Sequence, residues 1–245
     1  MATIALTISA TPVVTRAGLS VELTIRNSGD APARNVTPIV VFRGDQTLGT
    51  FEPLVEAGRS LTQSIEVPLG SPGAIPGTWP LYVRIAYADG NNHPFEALHV
   101  TTVSFGAPRA AAPAVTVDVS GAAFSTSGQA TARLHSTIST EASVTFVVPI
   151  GASVFPDHAS VFLEPGTRDV AAVVTNAGAT ASSRLPMFAV AEFETGGQHA
   201  TAIGGGMLDI TPPPEPLASW VLPAVLAALI VLWLGVLVRQ RLRRA

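Results

Sequence analysis

Residues 78–93 read TWPLYVRIAYADGNNH, and this stretch decides the fold. Leu81, Val83, Ile85 and Tyr87 alternate with Tyr82, Arg84 and Ala86. A period of two places one set of side chains on a buried face and the other on a wet face of a β-strand. The run ends at Asp89-Gly90-Asn91-Asn92, residue types that suit a hairpin turn. The same pattern returns upstream, where Val21, Leu23 and Ile25 alternate with Glu22, Thr24 and Arg26 before Asn27-Ser28-Gly29-Asp30. Further turns are expected at Glu56-Ala57-Gly58-Arg59 and Ser71-Pro72-Gly73. About seven short strands in the first hundred residues, with no amphipathic helix among them, predict an antiparallel sandwich.

The stretch also recurs. Pro80-Leu81-Tyr82 matches Pro186-Met187-Phe188, Tyr87 matches Phe193, Gly90 matches Gly196 and His93 matches His199, always 106 positions on. Val40 and Phe42 match Val144 and Phe146, and Glu56-x-Gly58 matches Glu164-x-Gly166, at offsets altered by loop length. The prediction is an all-β chain with two tandem immunoglobulin-like antiparallel sandwiches, over 1–105 and 114–210. Gly106–Pro113 is a linker by composition, and Thr211-Pro212-Pro213-Pro214-Glu215-Pro216 forms a stiff stalk over 211–216. Gly204-Gly205-Gly206 lacks the lysine and helix of a phosphate loop and reads as a bulge or loop.

Residues 217–238, LASWVLPAVLAALIVLWLGVLV, carry no charge over 22 positions. Such a length predicts a single C-terminal transmembrane helix, since about 20 apolar residues cross a bilayer. Trp220 suits an interfacial ring and Pro223 falls in the first turns. Trp233 and Gly235 face either lipid or a neighbouring helix. Arg239, Arg241, Arg243 and Arg244 follow in a basic tail over 239–245. The positive-inside bias then predicts a bacterial inner-membrane protein, with the sandwiches periplasmic and the C-terminus cytoplasmic. The N-terminal MATIALTISATPVV has no basic region and alternates like a strand, unlike a signal peptide, so the export route stays open.

The stretch Val21–Val36, VELTIRNSGDAPARNV, resembles the bacterial CARDB-type immunoglobulin-like domains, in which an apolar strand leads into Asn-x-Gly and a small-residue turn. Glu56-x-Gly58 and Tyr87-Ala88-Asp89-Gly90 fit the same pattern. The resemblance covers 2–105, and 114–210 less fully, because the second copy has no Asn-Ser-Gly-Asp turn. It implies spacer, adhesive or docking modules. Pro214-Glu215-Pro216, the apolar run and the Arg cluster together resemble a PEP-CTERM sorting tail.

The residues offer little chemistry. The chain has 245 residues and no cysteine, which excludes disulfides, thiol nucleophiles and thiolate metal sites. Hydrophobic residues make up 47% and charged residues 13%, too apolar a balance for disorder. All 17 acidic residues but only ten of the 14 Arg precede Leu217, a formal charge of −7 that disfavours nucleic acid as a partner. His93 and His99 are spaced to share a strand face, a spacing that a metal could use but that exposed edge histidines explain by default. Asp89–Asn92 offers oxygens for a cation, but a hairpin explains the same residues. No nucleophile elbow occurs. Tyr82 and Phe188 have parity opposite to Leu81 and Met187, which makes them either candidate docking aromatics on the wet face of each copy or part of a sheet face covered by the neighbouring domain. The expected function is therefore non-catalytic: no cofactor, no metal, and two sandwiches that dock on or scaffold membrane proteins of the same bilayer as an accessory subunit. Surface adhesion or glycan binding is the alternative.

Overall fold

The computed structural model describes residues 3–15, 18–69, 76–106, 113–213, 225–227, 229, 230 and 233. The first half contributes β1 (Leu6–Val14), β2 (Leu19–Asn27), β3 (Ala33–Phe42), β4 (Asp45–Leu48), β5 (Glu52–Val55), β6 (Ser60–Val67), β7 (Gly77–Ala88) and β8 (Pro94–Phe105). The second contributes β9 (Val115–Ser120), β10 (Ala123–Phe124), β11 (Ser127–Ser136), β12 (Thr140–Val147), β13 (Ala152–Phe155), β14 (His158–Leu163), β15 (Gly166–Asn176), β16 (Arg184–Thr195) and β17 (Gln198–Ile210).

Alternation dictates the packing. In β2, Leu19, Val21, Leu23 and Ile25 are fully buried, and in β7 so are Leu81, Val83 and Ile85. These two faces close on each other: a sheet ordered β1-β2-β6 lies over a sheet in which β7 pairs with β3 and β8. The second half repeats the arrangement, with β13-β15-β11-β9 over β14-β12-β16-β17. Its core is built on Leu134, Val144, Phe146, Met187 and Phe193. Each half is a β-sandwich with its own core.

Asparagines tie two of the strand ends, Asn27 fully buried and Asn176 half-buried. The Asn27 side chain is fully buried and donates to the carbonyls of Ala31 (2.8 Å) and Val55 (3.1 Å), while accepting from the Gly29 amide. Asn176 makes the equivalent knot, donating to Ser125 and Ala179 and accepting from Gly178 and Ala179. The second half thus carries its own Asn-x-Gly, Asn176-Ala177-Gly178, moved from the end of β11 to the end of β15. Gly204–Gly206, expected as a bulge or loop, lies inside β17 instead. β9 crosses so close that a Cβ on Gly204 would overlap the Val117 carbonyl, and one on Gly206 would come within 2.9 Å of Val119.

The expectation of a single transmembrane helix over 217–238 is corrected. Among the described residues no helix is long and apolar enough to cross a membrane. The described helical positions are Val225–Ala227, Leu229, Ile230 and Trp233. An apolar run sets hydropathy, which is a property of composition and does not by itself make a spanning helix. The inner-membrane localisation, with periplasmic sandwiches and a cytoplasmic C-terminus, loses its basis with the span. Trp233 is 63% exposed. Trp220, Pro223, Gly235, Arg239, Arg241, Arg243 and Arg244 lie outside the described residues, as do most of the 106–113 linker and Pro214–Pro216 of the stalk.

Candidate interaction surfaces

The two sandwiches meet because β7 outruns β3. The last partner of β3 along β7 is Leu81, so Gly77–Pro80 keep β8 on one side and have no β3 on the other. The start of β17 takes that place, pairing His199 with Gly77 in parallel. The His199 amide donates to the Pro76 carbonyl at 3.0 Å. The Thr201 amide donates to Thr78 Oγ1 at 3.0 Å, and the Thr201 hydroxyl to the Thr78 carbonyl at 2.8 Å. One ten-stranded sheet therefore runs through both halves. Gly77 makes this approach possible: its φ is 138°, and a Cβ there would overlap the His199 carbonyl.

Side chains clamp the same point. The His199 ring stacks on Trp79 with centroids 3.6 Å apart and planes 13° apart. His199 Nε2 donates to Glu192 Oε1 at 3.1 Å, and the Arg43 guanidinium sits 4.8 Å from the Trp79 ring centre. Arg43 is held there by the β3–β4 hairpin, whose tip residues Arg43 and Gly44 have φ of 52° and 87°. Aromatic stacking and a cation over an indole each contribute about 0.5–1.5 kcal/mol.

A second layer of the junction is apolar. Leu98, Val100, Val147 and Val190 are all buried, Val190 completely, yet none belongs to either core. Leu98 and Val100 pair with Arg84 and Tyr82, on the face of the β7–β8 hairpin that points away from its own core. Val190 has opposite parity to the core residues Ala189 and Ala191. The outward faces of the two halves thus cover each other. Glu96 is buried on this face, where an unpaired carboxylate would cost several kcal/mol. Arg84 Nη1 donates to Glu96 Oε2 at 3.0 Å, and the Ile150 amide of the second half donates to it at 2.9 Å.

This junction places the two aromatics singled out in the sequence. Tyr82 is half-buried on the junction face, where burial, and secondly the Glu192 carboxylate, push its phenol up to about 12. Phe188 is half-buried too, on the side of its sheet that carries Val190, with its ring beside Gly205 of β17. The stack of Arg43, Trp79, His199 and Glu192 was not foreseen. A usable signal lay in β8, where Leu98 and Val100 on one parity and Phe95 and Ala97 on the other mark a strand covered on both faces.

The remaining candidates fall into ordinary structural roles. Asp89 Oδ1 accepts from the amides of His93 and Asn91, which holds its carboxyl below the usual range and closes the β7–β8 turn. His93 packs edge-on against Phe95. His99 is half-buried, and burial lowers its pKa. Among the described residues no group of three or more His, Asp or Glu lies close enough to hold a metal ion. An open depression on the outer face of β11 and β15 is lined by Arg133, Thr167, Arg168 and Asp169, with Arg133 paired to Asp169 at 2.9 Å.

No family model and no curated protein matches the chain. Among solved structures, it is similar to trypsin-activated α2-macroglobulin from Escherichia coli, at 12% identity and a TM-score of 0.34 over 85% of this chain. It spans 18% of that macroglobulin chain, and 16% of the native conformation of the same protein. The YadV chaperone matches at 12% identity and a TM-score of 0.31, over 82% of this chain and 99% of its own. Red sea bream transglutaminase matches at 12% identity and 0.26, over 83% and 31%. Likenesses this distant carry no functional argument.

Proposed function

We propose that the chain is a non-catalytic docking module: two immunoglobulin-like sandwiches of CARDB type, clamped into one unit that presents fixed surfaces to other proteins as an accessory or structural subunit. The observation that carries this reading is the junction. It spends a shared sheet, a buried ion pair and an aromatic stack on holding two sandwiches in one arrangement. Flexible beads need no such contacts, whereas a scaffold whose partners touch both halves does. The strand order supports the immunoglobulin-like description, with β1, β2 and β6 of the first half facing its other strands, and β9, β11, β15 and β13 of the second half facing β14, β12, β16 and β17. The Asn-x-Gly knots support the CARDB resemblance.

The test is cross-linking in the source cells followed by native mass measurement. A stoichiometric complex that weakens in a Val190→Asp variant is the expected result. A chain that runs free in the cell and after gentle extraction contradicts the docking role.

A further inference from the structure

The side edge of the second sandwich is built differently from the rest of the surface. β14 reads His158-Ala159-Ser160-Val161-Phe162-Leu163, and β12 is its pairing partner among the described residues, leaving its far side without a strand. Natural sheet edges are protected by charge, proline or a bulge. β14 contains no acidic, Lys, Arg or Pro residue. Its core-facing side chains Ala159 and Val161 are only half-buried, as are Ala152 and Val154 on β13, the edge of the opposing sheet. The core is thus left partly open along this side. On the outer face Phe162 is 64% exposed.

Charge says what belongs there. Asp157 and Glu164 bracket β14, and Glu141 stands opposite Phe162 on β12. All three are exposed, and residues 134–167 contain no Arg. A second copy pairing antiparallel through β14 would set Asp157 against Glu164 twice, which is repulsive. An extended segment with alternating apolar residues and a basic residue at each end meets every feature. Its backbone pairs with β14, its inward side chains cover Ala159 and Val161, and its flanks meet the carboxylates.

We infer that β14 is a strand-acceptor edge for an extended, apolar, basic-flanked segment of a partner protein. This rests on the docking reading and assigns it a surface and a partner chemistry. The test titrates the full chain against fluorescein-labelled peptides by anisotropy. The probe is a six-residue Val/Thr alternation with Arg at both ends. One control carries Glu at the ends, and another carries the Arg ends with alternate backbone nitrogens methylated. Binding of the Arg-ended probe at least tenfold tighter than of either control is expected. Phe162→Ala should weaken it at least threefold, and the Asp157→Asn/Glu164→Gln pair should erase the preference for Arg ends. All three positions are exposed, and unchanged urea midpoints show that the fold survives.

Equal binding of the methylated peptide, or none of the Arg-ended one, overturns the proposal. So does a concentration-dependent dimer that the probe disperses, which would make a second copy the occupant. Peptide failure alongside a stoichiometric complex in cells removes the edge but leaves the docking reading. Absence of both removes both.

Discussion

His93 and His199 stand 106 positions apart in the last hairpin of each sandwich, His93 just before β8 and His199 second in β17, with different fates. His93 is exposed and rests edge-on against Phe95 of its own hairpin. The His199 side chain is 12% exposed, stacked on Trp79 of the other sandwich and bonded to Glu192. Duplication sets what each hairpin is, and the tandem contact sets what each hairpin does. The second hairpin reaches across because β7 starts four residues before its pairing with β3 begins and leaves a sheet edge for β17 to take.

The largest effect that would break this comparison is expected at Val190. Val190→Asp places an unpaired charge in the junction without touching either core and should cost about 4 kcal/mol. Urea unfolding should then split into two transitions, while Val13→Asp on the exposed end of β1 stays within about 0.5 kcal/mol. Gly77→Ala should cost about 2 kcal/mol through its clash with the His199 carbonyl and its positive φ. A loss under 0.5 kcal/mol would mean that the strands do not approach there. His199→Ala should cost about 1–2 kcal/mol and His93→Ala about 0.5 or less, by the same urea measurement.

The smallest effect is spectroscopic. The two tyrosines, Tyr82 and Tyr87, both have phenols raised by burial, Tyr82 to about 12. A phenol whose folded pKa exceeds its unfolded value near 10 keeps its proton in the folded state. Its stabilisation is complete below pH 10 and is lost as pH rises from about 10 to 12. Absorbance near 295 nm should therefore show Tyr82 still protonated at pH 10 in the folded chain, with Tyr87 ionising at higher pH than a free phenol. Tyr82→Phe should flatten the alkaline fall in stability. A full two-tyrosine step at pH 10 in folded protein would place Tyr82 in water.

The alternation of Val21–Ile25 and Leu81–Tyr87 was enough to read strands, the inward face and the duplication, because burial on one side of a strand leaves a period of two. The junction was not readable in that way. Tyr82, Arg84 and Glu96 look like a wet face by polarity, and only the neighbouring sandwich makes them a covered one. Gly204–Gly206 resembles a loop by composition, whereas its cause is the backbone of β9 passing over β17, a contact between distant segments. The apolar run over 217–238 predicted a span from hydropathy, which reports composition, whereas among the described residues no helix is long and apolar enough to cross a membrane.

The most direct measurement of the clamped tandem is a spin-label distance between its halves. The chain has no cysteine, so Ser64→Cys and His135→Cys introduce the only thiols, each on an exposed strand face of one sandwich. Pulsed electron resonance on the doubly labelled protein should return one narrow distance distribution, which Val190→Asp broadens. A broad distribution in the protein without that substitution would mean that the sandwiches move independently and that the junction does not hold them.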